Sequence, residues 1–141
     1  MAALSITAAN VVLSSGPASH GQLAGEAFNA GAMLYFKESD SKWYKAQGDG
    51  TAEEAGSVDV GMALSTAAAA GAFVSIAKAD AVVTIGSVPT AGVVYTIDDT
   101  AGSIGPIADR GSADKVTVVA LGVSATAIKL ARVYHAGSVL A

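Results

Sequence analysis

The chain of 141 residues has no cysteine, so disulfides and thiolate metal sites are excluded, and an oxidising compartment is neither implied nor ruled out. Charge is scarce as well: 14% of residues are Asp, Glu, Lys or Arg, against roughly a quarter in ordinary soluble domains. There is one Trp, with three Phe and four Tyr, and the 52% hydrophobic fraction is mostly alanine and valine. Small side chains bury little area each at ~25 cal/mol per Å². A chain of this length makes one domain with a thin core, and subunit contacts are the expected supplement.

The net charge of −4 and the scattering of eight Lys and Arg argue against a nucleic-acid partner, with Lys42 and Lys45 the nearest approach to a basic cluster. No Lys or Arg precedes the apolar stretch 1–13, so a secretory leader is not expected. Stretches 60–77 and 81–97 lack charge except near their ends and approach the ~20 residues of a membrane span. Gly61, Ser65, Thr66, Gly71 and Ser75 punctuate the first, and Gly86, Pro89 and Gly92 the second. Such punctuation belongs to strands, and no membrane partner is expected.

Helix-period stripes are missing too, whereas Val/Ile/Thr/Tyr runs bounded by Gly, Pro, Asn and Asp recur. Residues 32–36 and 42–46, around the polar 38–41, predict a β-hairpin in which Tyr35 and Trp43 are placed to pair. Further strands are expected at 58–64, 73–77, 81–85, 93–97, 103–108, 115–123 and 127–134, with a helical turn at 52–55 and turns at 98–102 and 109–114. The expected fold class is all-β, a small barrel or sandwich of about ten short strands with an extended N-terminal arm.

Phrases separated by about 60 residues resemble one another. Asn29-Ala30-Gly31 before Met33-Leu34-Tyr35 matches Thr90-Ala91-Gly92 before Val93-Val94-Tyr95, and 58–65 matches 116–124, as two β-halves would. Residues 1–22 form an uncharged segment read either as an arm that docks on a neighbour or as a first strand, ahead of one β-domain over 23–141.

Catalytic groupings are not found. His20 and His135 sit in no metal-ligand spacing, and no Gly-x-Ser-x-Gly elbow occurs. The pairs Glu53-Glu54 and Asp98-Asp99 are adjacent, so their carboxyls diverge, and Asp98-Asp99 before Thr100-Ala101-Gly102 has the chemistry of a turn. Asp49, Glu53 and Glu54 lack the alternating oxygens of an EF-hand loop. Gly48-Asp49-Gly50 has no following Lys-Ser/Thr to make a phosphate loop. No enzyme activity, cofactor or metal is expected. A small hydrolase using Asp49, Glu53 or Glu54 is the weakest alternative, and a sugar- or host-surface-binding module of a phage tail or fibre, using Trp43 and Tyr44, the next.

The series 24–31, Asp40-Ser41-Lys42-Trp43-Tyr44-Lys45-Ala46, Val60-Gly61-Met62-Ala63-Leu64-Ser65, 67–70, 89–95, 98–106 and 116–124 resembles the capsid cement (head decoration) proteins of tailed bacteriophages. The resemblance covers roughly residues 20–134 and lies in the order of turn and strand phrases rather than in any single motif. It implies a β-barrel-like subunit, commonly a homotrimer, bound to the major capsid protein on the outer surface of the virion capsid, with no active site. Candidate interface residues are Leu4, Ile6, Val11, Val12 and Leu13 in the N-terminal segment, with Trp43 and Tyr44 in the hairpin.

Overall fold

A computed structural model describes residues 3–109 and 116–135. Eleven strands lie in these residues: β1 (Val12–Ser15), β2 (Ala18–Leu23), β3 (Met33–Lys37), β4 (Lys42–Lys45), β5 (Val60–Ala63), β6 (Phe73–Ala77), β7 (Val82–Thr84), β8 (Val94–Ile97), β9 (Ile104–Pro106), β10 (Val116–Gly122) and β11 (Ala127–His135). They form a six-stranded sheet, β1-β7-β11-β10-β8-β9, and a five-stranded sheet, β2-β6-β5-β3-β4, with every listed pairing antiparallel. The sheets stay open, so the fold is a β-sandwich and not a closed barrel. Most of the expected turn at 109–114, and residues 136–141, lie outside the described residues.

The two halves of the chain repeat strand for strand. Adding five to each strand number converts β2-β6-β5-β3-β4 into β7-β11-β10-β8-β9, and β1 is an addition at the edge. The matching turns agree in detail. Ala32 N–H donates to Asn29 O and Val93 N–H to Thr90 O, closing turns whose third residues, Gly31 and Gly92, hold φ of 94° and 84°. Only glycine takes that left-handed position without strain in a type II turn. Gly31 N–H then reaches Ala63 O, and Gly92 N–H reaches Gly122 O, both at 2.8 Å. The phrase 116–124 is one residue longer than 58–65 because β10 carries a bulge between Val118 and Ala120.

The repeat is not mirrored across the core. Met33 pairs with Met62 and Val94 with Leu121, which makes Met33 the counterpart of Val94 and Leu34 that of Tyr95. Met33 and Met62 lie in the main core between the sheets, as does Tyr95, whereas Leu34 belongs to a second core. Equivalent faces therefore point the same way, and the sheets stack like successive layers. The upper face of the five-stranded sheet (Met33, Tyr35, Val60, Met62, Ala77) packs under the lower face of the six-stranded sheet (Val83, Tyr95, Ile97, Ile128, Leu130). Each fully buried Ile, Leu or Met there contributes about 1.5–3 kcal/mol.

The hairpin register differs from expectation. Lys37 pairs with Lys42, so Tyr35 meets Tyr44 and Phe36 meets Trp43, and Tyr35 and Trp43 fall on opposite faces. The four-residue turn fixes this register, and Ser41 takes φ of 58° within it. The expected helical turn at 52–55 is reduced to a single bond from Ala55 N–H to Thr51 O, beside a reciprocal Thr51–Glu54 cap.

Candidate interaction surfaces

The N-terminal segment is built into its own subunit. Leu4, Ile6, Val11 and Leu13 pack half-buried against the main core. Leu4 N–H donates to Ile104 O, and a Cβ added at Gly31 would lie 2.6 Å from an Ile6 methyl. β1 pairs with β7 and β2 with β6, so residues 3–22 hold one strand of each sheet's edge. This corrects the reading of Leu4, Ile6, Val11 and Leu13 as a docking arm: their apolar surface is already covered within the chain. Val12 alternates with them and is 58% exposed.

Trp43 also proves to be internal. It is 3% exposed, its indole N–H donates to Gln22 Oε1 at 3.1 Å, and Phe36 stands against it at 5.3 Å between ring centroids. Lys78 lies over its face at 4.5 Å and is held there by an ion pair with Asp59. The indole face is therefore closed to a sugar ring or a partner, contrary to the sequence expectation. Its neighbours explain the burial: β4 lies at the end of the five-stranded sheet, and the backbone at Ala24 and Gly25 runs alongside it.

Tyr44 is half-exposed and lies against Tyr35 at 5.9 Å, with the Lys37 ammonium 5.1 Å from its ring centre. Its hydroxyl donates to Asp40, which holds the Asp40 carboxyl below the usual carboxylate range and raises the Tyr44 phenol. Burial, with Glu54, Glu53 and Glu26 nearby, pushes Tyr35 up to about 12. The folded chain thus favours neutral Tyr35. That contribution to stability is complete below the unfolded pKa of about 10 and is lost as pH rises through about 12. An alkaline absorbance titration at 295 nm is expected to show a step near 12 that Tyr35→Phe removes.

The acidic pairs serve local turns. Glu54 Oε1 accepts from Thr51 N–H and Glu53 Oε2 from Glu38 N–H, so the two carboxyls serve different elements. Asp98 Oδ2 accepts from Thr100 N–H. His20 Nδ1 meets Ser75 Oγ at 2.8 Å on exposed strand surface. Among the described residues no three His, Asp or Glu side chains are grouped to hold a metal ion, and no helix is long and apolar enough to cross a membrane. An open groove of about 510 Å³ runs between the arm and the turns at 29–32 and 100–103, with Lys45 its one charged lining residue.

Two surfaces that sequence reasoning passed over dominate the outside. The first is the upper face of the six-stranded sheet. Val12 pairs with Thr84, Thr84 with Ala127, and Ala127 O accepts from Val123 N–H, which makes one row across the sheet. Val82, Lys129, Leu121 and Val94 make the next, and Val118 with Val133 a third. Val12, Leu121, Val123 and Val133 are 42–61% exposed there. Among the described residues Lys129 is the one charged side chain in these rows.

The second surface is the underside of the five-stranded sheet, which the chain caps itself. Residues 24–32 and 64–72 fold across it, joined by the Phe28–Ala67 bridge, and bury Leu34, Trp43, Val74 and Ile76 in the second core. The outer skin of this cap includes Ala27, Asn29, Ala68, Ala69 and Ala70, all exposed. The signal for the first surface was legible as the run of valines in β10 and β11, but its exposure depends on which way the layers stack. No family model, curated protein or solved structure matches the chain.

Proposed function

We propose that this chain is a structural decoration subunit that binds the major capsid protein on the outside of a tailed-phage head and strengthens the junctions between capsomers. The observation that carries the reading is the ordered series of turn and strand phrases over residues 20–134 that resembles the cement proteins. Those phrases fall on the repeated layers, with the Ala-Gly phrases at 30–31, 91–92 and 101–102 forming turns.

The surface chemistry supports the same reading. Broad uncharged faces of small and β-branched residues suit contact with flat protein surfaces, and a capsid repeats each modest contact many times over one shell. The role assigned is structural and without catalysis. The buried face of Trp43 removes the principal support for a sugar-binding module.

Co-sedimentation with empty, expanded phage heads tests the proposal. Saturable binding at a fixed number of copies per head, together with heads that resist a higher temperature, is the expected result. A purified, folded chain that binds heads at no stage of maturation would overturn it.

A further inference from the structure

The stacking of the layers leaves the two ends of the molecule unlike. The upper face of the five-stranded sheet is buried by the sheet above it, and the corresponding face of the six-stranded sheet has no layer above it. The counterparts of Met33, Val60 and Met62 on that bare face are Val94, Val118 and Leu121, which keep the apolar character of a covered layer. Stacked-repeat proteins stay single when their terminal faces are polar, and this face is not.

What can cover it is limited by the rest of the chain. Edge-to-edge pairing is blunted at all four sheet edges: β9 ends in Pro106, β4 carries Lys42 and Lys45, and β1 and β2 are bulged. Two copies meeting face to face would bring Lys129 toward its own kind. The opposite end of the molecule is a better match. The cap segments 24–32 and 64–72 carry one charged residue, Glu26, and otherwise small uncharged side chains able to lie flat on a β-face. One apolar end bears a base and the other an acid.

We propose that copies of this chain associate head to tail, the bare upper face of the six-stranded sheet of one copy packing on the cap of the five-stranded sheet of the next. A contact between two different patches builds rings or open stacks rather than closed pairs. Strands about 4.8 Å apart and 3.3 Å per residue give the face from β1 to β8 roughly 20 Å by 20–25 Å, or ~450 Å² in plan. That is about half of the ~800 Å² each partner buries in a standard interface, so single contacts are weak and assembly depends on concentration. The inference deepens the decoration reading by naming how copies join, and it is read without capsids, so either can fail alone.

Sedimentation of the full chain from about 1 µM to about 1 mM, with Leu121→Glu on the face and Ala69→Asp on the cap, tests it. Both sites are exposed, Glu at 121 faces Lys129 across the ladder, and Asp suits the first position of the turn at 69–72. The wild-type mass is expected to rise with concentration, and each variant alone to associate at least about tenfold more weakly. An equimolar mixture of the two restores one intact contact and yields dimers that grow no further. A wild type that stays monomeric overturns the proposal, as does an Ala69→Asp chain that assembles like the wild type, which would indicate face-to-face pairing. Unchanged assembly of Leu121→Glu overturns it too.

Discussion

Replacing Gly122 with alanine is expected to lower the melting temperature by about 10 °C or more, at a cost of about 3 kcal/mol. A Cβ at this position would stand 2.0 Å from Thr90 O and 2.9 Å from the Thr90 carbonyl carbon. Both are backbone atoms of the turn at 90–93, so no flexible side chain can swing aside. The turn is fixed on several sides. Tyr95 Oη accepts from Thr90 N–H at 2.9 Å, Gly92 N–H donates to Gly122 O, and Gly122 N–H donates to Val93 O. Admitting one methyl therefore shifts a turn and loosens the ladder between β8 and β10 together. The repeat supplies an internal control, because the position equivalent to Gly122 is Ala63, buried in the second core. Ala63→Gly is expected to cost only about 1 kcal/mol, from chain entropy and one lost methyl. Thermal unfolding followed by circular dichroism checks both. Equal effects at the two sites would show that the close approach to Thr90 is not what demands glycine.

The all-β class was legible because turn chemistry is local. Gly31 and Gly92 mark their turns by residue type alone, and the strands from β3 onward fall within a residue or two of the runs of Val, Ile and Tyr. β2 was not legible: Ala18-Ser19-His20-Gly21-Gln22-Leu23 has no alternation, because its bulge between Ser19 and Gln22 breaks the period. Register across the hairpin was missed for a related reason. Tyr35 and Trp43 are equally good cross-strand partners by type, and the turn length decides between them. The two-half repeat was visible in sequence, but its handedness was not. Whether equivalent faces meet across the core or point the same way depends on the long-range packing of Tyr95 and Leu34, which no local phrase encodes. For the same reason, the exposed valines of the six-stranded sheet could not be told from core valines until the layers were stacked.

Deleting residues 2–15 is expected to unfold the domain or to leave it with only a small part of its stability, contrary to what a detachable arm would do. Leu4, Ile6, Val11 and Leu13 are each half-buried on the main core, and at about 1 kcal/mol apiece their loss removes ~4 kcal/mol. The β1–β7 ladder and the Leu4–Ile104 hydrogen bond go with them. A domain of this size holds roughly 7–20 kcal/mol in total, so the deletion takes a large share of the whole. It also turns β7, a three-residue strand, into a bare sheet edge, which favours pairing between chains. Val12→Ser separates this from loss of outward surface: Val12 points away from the core, and its replacement is expected to change stability by less than about 0.5 kcal/mol. Urea unfolding of the three chains measures the difference, with the midpoint falling sharply for the deletion and hardly moving for Val12→Ser. A truncated chain with a wild-type midpoint would return residues 2–15 to the role of a connector, and the contacts of Leu4 and Ile6 would then be incidental to the fold.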